Sequence, residues 1–343
     1  MIEVDGSFGE AGGQILRTSV ALSAVTGKAC RIFNVRAKRK NPGLQAQHLE
    51  AVKATAKLCD AEVKGAELHS TELEFLPGKI KSGNISINIP TAGSIGLVLQ
   101  PLIIAAMHAE KAVNISIKGG ATNGKWAMPA NYAKHVLLPL LEKMGYRAKM
   151  QIGRYGYYPV GGAEVEVEIS PANLFPMTLL DAGKIVAIHG ISHASRELEK
   201  ANVAERQQKT ARKIIFDALG IVPEIKTVYV DSVCLGSAVD LYAETGSSFL
   251  GSGGLGEKGK RAEDVGKEAA EKIIKYIKSN SPLDEHAEDQ LIPYLALADG
   301  MSKIRVFSVS DHTRTNIWVT EKFMPVKFRI DEVQKIIECE RLD

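Results

Sequence analysis

Along this chain apolar positions alternate with polar ones for a few residues, then recur every three to four, then alternate again, and this succession runs twice in one order. Ile2 to Val4 reads as a short strand and Asp5-Gly-Ser-Phe-Gly-Glu-Ala-Gly-Gly13 as a loop. Ile15, Leu16, Ser19, Val20, Leu22 and Val25 mark one face of a helix ended by Gly27. A strand over Cys30 to Val35 follows. Asn41-Pro42 supplies an N-cap and a first-turn proline, predicting a helix to about Cys59, and weak strands come around Glu62 to Val63 and Leu73 to Leu76.

The same β-α-β-α-β-β order recurs as strand Ile85 to Ile89, helix Ser94 to Ala109, strand Val113 to Lys118, helix Pro129 to Met144, and strands Arg147 to Ile152 and Ala163 to Ile169. Two copies of one unit predict a repeat architecture. A third copy is expected to begin at Lys184 to Ile191 and to close with strands Ile304 to Val309 and Ile317 to Val319. Between them lie the helix Ala204 to Leu219, strands Glu224 to Asp231 and Ser237 to Glu244, and a charged helix, Ala262 to Lys278, expected to lead back to the main body. The reading is an α/β (α+β) protein: two repeats over 1–183, an inserted smaller α/β domain over 184–275, and the rest of the main domain over 276–343.

Composition adds constraints more than positive signals. With 343 residues, 45% hydrophobic and 24% charged, the chain has the make-up of a globular protein with ample core, and a net charge of +3 leaves any nucleic-acid contact to local patches. One basic run, Arg31, Arg36, Lys38, Arg39 and Lys40, is such a patch or a solvated face. Four cysteines without C-x-x-C spacing suggest neither a zinc knuckle nor a disulfide framework, which fits a reducing compartment. Ile95 to Ala109, the longest apolar run, is interrupted by Gln100-Pro101 and is too short to span a bilayer, so no membrane role is expected and the cytoplasm is the expected location.

Several stretches carry candidate chemistry. The glycine loop before the first helix is either a tight turn or an anion cradle at a helix N-terminus, in which Glu10 holds a divalent cation and Arg17 lies one to two turns further on. Arg36, Arg39, Gln47 and His48 gather where the second helix begins, as phosphate-binding side chains do, although a semi-buried structural histidine reads the same way. Gln100-Pro101 and Asp289-Gln290 with Pro293 are expected to break two apolar helices and free polar groups. His286-Ala287-Glu288-Asp289-Gln290 is dense in nucleotide or metal ligand types. Gly251-Ser-Gly-Gly-Leu-Gly256 meets the dinucleotide pattern, but no strand follows its helix at the required distance, so a linker is expected there. His312, placed in a polar turn between the last two predicted strands, is the candidate nucleophile, with a capping role beside Asp311 as the alternative.

The segments DGSFGEAGGQILRTSVALSAVTG, RAKRKNPGLQAQHLEAV, GGATNGKWAMP, RYGYYPVGGAEVEV, DEHAEDQLIPYLALA and HTRTNIWV together resemble the successive blocks of the RNA 3'-terminal phosphate cyclases, in order and over essentially the whole chain. The resemblance implies three β-α-β-α-β-β units like the C-terminal domain of bacterial translation initiation factor three, with an inserted α/β domain in the third. It implies ATP-dependent conversion of an RNA 3'-phosphate to a 2',3'-cyclic phosphodiester through a histidyl-AMP and an RNA-adenylate, with release of pyrophosphate and AMP.

By the same resemblance His312 carries AMP. Gln100, Pro129 and His286 to Gln290 contact ATP, Glu10 and Asp289 serve a divalent cation (Mg or Mn), and Arg17, Arg36, Arg39, Gln47 and His48 hold the RNA end. Ala11 departs from the pattern, standing where many relatives have a glycine. A non-catalytic relative in RNA processing or ribosome assembly is the alternative, and its lack of the nucleophile sets it apart from a chain with His312. Monomer and homodimer both remain open on sequence.

Overall fold

The computed structural model describes residues 1–342; Asp343, the last residue of the third predicted segment, lies outside the described residues. The first stretch folds as β1 (Ile2–Asp5), α1 (Gly13–Thr26), β2 (Cys30–Phe33), α2 (Ala46–Cys59), β3 (Glu62–Lys64) and β4 (Leu73–Leu76). Its sheet has the order β1-β2-β4-β3, with β1 and β2 parallel and the other pairs antiparallel.

The second stretch gives β5 (Gly83–Ser94), α3 (Ile95–Ala106) and β6 (Val113–Ala121), then α4 (Ala130–Tyr132), running through a π-helical turn at Ala133–Leu137 into α5 (Leu138–Glu142), and finally β7 (Arg147–Arg154) and β8 (Glu164–Ser170). Its sheet, β5-β6-β8-β7, has the same order and the same strand senses.

Next come β9 (Thr178–Leu179), β10 (Ile185–Ser195), a 3-10 turn at Arg196–Ala201, α6 (Val203–Leu219), β11 (Glu224–Val230), β12 (Ser237–Thr245), β13 (Phe249–Leu255) and α7 (Ala262–Ser279). The chain ends with α8 (Ala287–Leu297), β14 (Ser302–Arg305), α9 (Asp311–Phe323), β15 (Val326–Asp331) and β16 (Ile336–Arg341). A third sheet, β9-β14-β16-β15, repeats the pattern again, with β9 and β14 parallel. The fourth, β11-β10-β12-β13, does not. The first three sheets and their helices share one apolar core, whereas the fourth, with α6 and α7, closes around a separate one that includes Ile215, Val239, Leu241 and Ile273.

Several expectations fail. Ile317 to Val319 is helical, inside α9, not a strand. Lys184 to Ile191 belongs to β10 of the fourth sheet, and the strand beside β14 is the two-residue β9, too short to show a period in sequence. Asn41-Pro42 does not start α2, because the backbone after it is already committed: Gly43 N–H donates to Val35 O and Leu44 N–H to Ser70 O, delaying the helix to Ala46. Gly251 to Gly256 is no linker but mostly strand β13, with glycine needed for close approach, since a Cβ on Gly254 would lie 2.2 Å from the Val265 carbonyl oxygen. Moreover, α3 and α8 run on through Pro101 and Pro293 without a break, and α7 packs on α6 and β13.

α1 places the site. It is covered by α2, α3 and α9, and its buried residues include Gln14, Arg17, Thr18, Ser19 and Ser23. All of these but Ser19 find hydrogen-bond partners, as buried polar groups need to. Those partners bring distant parts of the chain together: Thr18 Oγ1 donates to Asn316 Oδ1 at 2.8 Å, and Asn316 Nδ2 donates to the Asp289 carbonyl oxygen at 2.7 Å.

Candidate active site

His312 stands in the first turn of α9. Ser310 caps that helix, its Oγ accepting from Thr313 N–H at 3.1 Å, and the buried Glu288 carboxylate accepts from Ser308 N–H, Ser310 N–H and the Thr313 hydroxyl. Burial of Glu288 raises its pKa to about 7, against the hydrogen bonds that favour its ionised form. Glu288 therefore anchors the segment carrying His312 and is not turned toward a ligand.

Both ring nitrogens of His312 are engaged. Nδ1 lies 2.5 Å from Gln14 Oε1, and Gln14 Nε2 donates to Asp289 Oδ2 at 3.0 Å and to the His312 carbonyl oxygen at 3.2 Å. Turning the Gln14 amide over would set its oxygen against the Asp289 carboxylate, so Oε1 must be the atom facing His312, and Nδ1 must carry the proton it accepts. A neutral imidazole so held has its lone pair on Nε2. Nε2 lies 2.9 Å from Glu10 Oε2, and the side chain is 47% exposed. A lone pair and a carboxylate oxygen do not sit at that distance without a proton between them, so Glu10 has to move aside before Nε2 can attack.

Behind this pair lies a positive cluster. Arg17 is buried, with Nε donating to Gln100 Oε1 at 2.6 Å, and burial lowers its pKa to about 10 against the opposing pull of Asp289, leaving it charged at neutral pH. His48 Nδ1 accepts from Gln45 N–H at 3.3 Å, which leaves Nε2 to carry the proton. Burial, with Arg17 and Arg36 nearby, depresses the His48 pKa to about 3, so this donor is neutral. The glycines admit the cluster: a Cβ on Gly13 would lie 2.1 Å from His48 Nε2, and one on Gly12 3.1 Å from Arg39 Nη2. Ala11 holds φ 51°, a conformation that suits glycine better. Arg36 donates to the Asn41 and Gly43 carbonyl oxygens, Arg39 meets Glu10 at 3.3 Å, and Gln47 Oε1 accepts from Ser94 N–H.

A cavity of about 740 Å³ opens beside His312, and Arg17, Gln100, Pro129, His286, Asp289 and Gln290 also line it. Burial raises the Asp289 pKa, and His312 is the first of the charges opposing that rise. Glu10, Arg36, Arg39, Gln47, His48, Ala287 and Glu288 do not line the cavity; apart from Ala287 and Glu288 they belong to the glycine loop and the cluster behind it, while Ala287 and Glu288 are buried in the first turn of α8.

Sequence reading missed Gln14 and Asp284. Gln14 looks like an ordinary first-turn residue, and only its partners 275 and 298 positions away reveal it. Asp284 accepts from His286 N–H, Ala287 N–H, Gly251 N–H and the Tyr132 hydroxyl, orienting the start of α8; an Asp just before a helix was a usable signal.

Fold and geometry describe a mixed α/β protein with a histidine-centred, anion-receptive cleft. The model of the RNA 3'-terminal phosphate cyclase family matches residues 8–330, and the chain belongs to that family. Relatives named RNA 3'-terminal phosphate cyclase include those of Methanopyrus kandleri (45% identical, covering 96% of this chain and 95% of the relative) and Methanothermobacter thermautotrophicus (44%, covering 96% of each). The Thermococcus kodakarensis relative of the same name is 44% identical over 96% of this chain and 94% of its own. Among solved structures, the enolpyruvyl transferase NikO from Streptomyces tendae covers 99% of this chain and 81% of that one at a TM-score of 0.28 and 9% identity, too weak a likeness to carry an argument.

Proposed function

We propose that this chain is an ATP-dependent RNA 3'-terminal phosphate cyclase, built from three copies of one β-α-β-α-β-β unit with the fourth sheet, α6 and α7 inserted into the third. The shared strand order of three sheets and the separate core of the fourth support that architecture. The observation that carries the function is the orientation of His312: Nδ1 is tied to Gln14, and Nε2, beside a cavity, is the atom that reacts once Glu10 moves aside.

Nε2 attacks the α-phosphorus of ATP and the bond to the β-phosphate oxygen breaks, releasing pyrophosphate. Asp289, acting through Gln14, steadies the positive charge that grows on the ring. The RNA 3'-phosphate oxygen then takes AMP from Nε2. The neighbouring 2'-hydroxyl attacks the 3'-phosphorus and expels AMP, helped by its high effective molarity.

Arg17, the neutral His48, Arg36 and Arg39 hold the RNA phosphate, with Gln47 beside them. Gln100, Pro129, His286 and Gln290 receive the nucleotide. Among the described residues no group of three or more His, Cys, Asp or Glu side chains could hold a metal ion. A divalent cation (Mg or Mn) would be held by Glu10, whose Oε2 lies 2.9 Å from His312 Nε2, together with phosphate oxygens, and would neutralise the triphosphate there. Asp289, whose two oxygens accept from Gln14 and Gln290, fits an orienting role better than a ligand role.

The non-catalytic reading is disfavoured by the complete partner set around His312, and the cytoplasm is the proposed compartment. Among the described residues no helix is long and apolar enough to cross a membrane. The test is an RNA ending in 3'-phosphate incubated with ATP and magnesium: its end should become phosphatase-resistant without retaining AMP, whereas the 2'-deoxy-terminated analogue, able to take AMP but not to close the ring, should stop at the adenylate and keep the AMP. An end that stays phosphatase-sensitive with ATP present would overturn the reading.

A further inference from the structure

Trp126 is 95% exposed, the most exposed of the large apolar side chains described, and it lines the same cavity as His312. Single exposed apolar residues are ordinary, but this one is displayed at a cost. Its φ is 56°, a left-handed conformation that bulky residues seldom adopt. The surrounding loop is tied down on both sides: Thr122 N–H donates to Gly156 O, Ala130 N–H donates to Thr122 O, and Lys125 pairs with Glu257 of the chain beyond β13 at 2.7 Å. A fixed loop therefore holds an indole outward, where it gains nothing from the protein itself.

The other tryptophan shows the contrast. Trp318 is stacked on Phe8 with centroids 4.0 Å apart and has Lys322 over its ring, so its faces are in use. Both faces of Trp126 are free for a flat partner.

Resting on the proposed cyclase reading, the geometry points to Trp126 as a stacking platform for the terminal base of the RNA at the cavity mouth. The 3'-phosphate has to reach the AMP on His312, which draws the terminal nucleotide to the cavity rim, and its base is the flat, apolar-faced group nearest that phosphate. The ATP base is the other source of the same chemistry, but Pro129 and His286, which line the cavity, already offer it faces. Base–aromatic stacking tolerates any base, because each has a π-face, so the platform would add affinity without reading sequence.

The test compares a 3'-phosphorylated RNA with a normal terminal nucleotide against one whose terminal nucleotide lacks its base, alongside transfer of label from ATP to the protein. For the unaltered protein kcat/KM should fall about tenfold or more with the abasic end, through KM. Trp126→Ala should lose that discrimination, while Trp126→Phe keeps most of it. Equal use of the two RNAs by the unaltered protein overturns the platform, and needs no variant. A Trp126→Ala variant that slows labelling by ATP yet still discriminates against the abasic end would assign the indole to the ATP base and overturn the RNA assignment. Failure of the unaltered protein to take label from ATP would instead strike the cyclase reading itself.

Discussion

Gln14 Oε1 lies 2.5 Å from His312 Nδ1, across 298 positions of chain, and this contact decides which ring nitrogen faces Glu10 and the cavity. Gln14→Ala removes the acceptor and leaves Asp289 short of a donor, so transfer of AMP to the protein should slow by roughly 10- to 100-fold, as losses of such orienting partners do. Gln14→Glu puts a negative charge beside the ring, favours the imidazolium, and should move the acid limb of the pH–rate profile to higher pH. Rapid-quench measurement of adduct formation against pH checks both; a profile unchanged in Gln14→Glu would contradict the assigned contact.

Arg17 is the buried cation of the cluster behind the glycine loop, and its Nε holds Gln100 at 2.6 Å. A lysine there keeps the charge but loses the planar fork. Loss of a charge-assisted hydrogen bond, about 1.5–3 kcal/mol, predicts that Arg17→Lys raises KM for the 3'-phosphorylated RNA by roughly 10- to 100-fold. Steady-state cyclisation across RNA concentrations measures it.

Glu288 gives a pH signature. Its pKa rises to about 7 on folding because of burial, above the ordinary 4.5, so between those values the native state holds a proton that the unfolded chain has released. Unfolding is then favoured as pH rises through that window, by an amount on the order of 3 kcal/mol at its upper end. Below 4.5 the two states are protonated alike and the effect vanishes. The Tm of the unaltered protein should thus fall relative to that of Glu288→Gln between pH 5 and about 8, read as a difference of two thermal melts. Parallel Tm profiles would show that Glu288 does not titrate in this way.

Much of the fold was legible because the first two stretches obey the rules of hydrophobic period. Gly27 does end α1, taking φ 69°, and the first two sheets follow the alternating runs. α9 was not legible. Its sequence, DHTRTNIWVTEKF, is rich in threonine and β-branched residues that favour strands, and the face it buries includes Thr313, Asn316 and Thr320 as well as Ile317 and Phe323. A polar buried face has no hydropathy period to find; Asn316 is buried there because it accepts from the Thr18 hydroxyl and donates to the Asp289 carbonyl oxygen. His312 and Arg17 stood out by residue type and place, Gln100 and Asp289 only through proline breaks that the helices do not make and through the family resemblance, and Gln14, which joins His312 to Asp289, showed itself only through contacts made in three dimensions.

The central claim is that His312 Nε2 carries AMP. Incubating the protein with ATP labelled at the α-phosphate and a divalent cation, then denaturing and treating with acid, measures this directly. The expected result is a protein-bound label that is stable to denaturation, lost in acid, and absent from His312→Ala. A wild-type protein that takes no label, or a His312→Ala variant that takes as much, would contradict it.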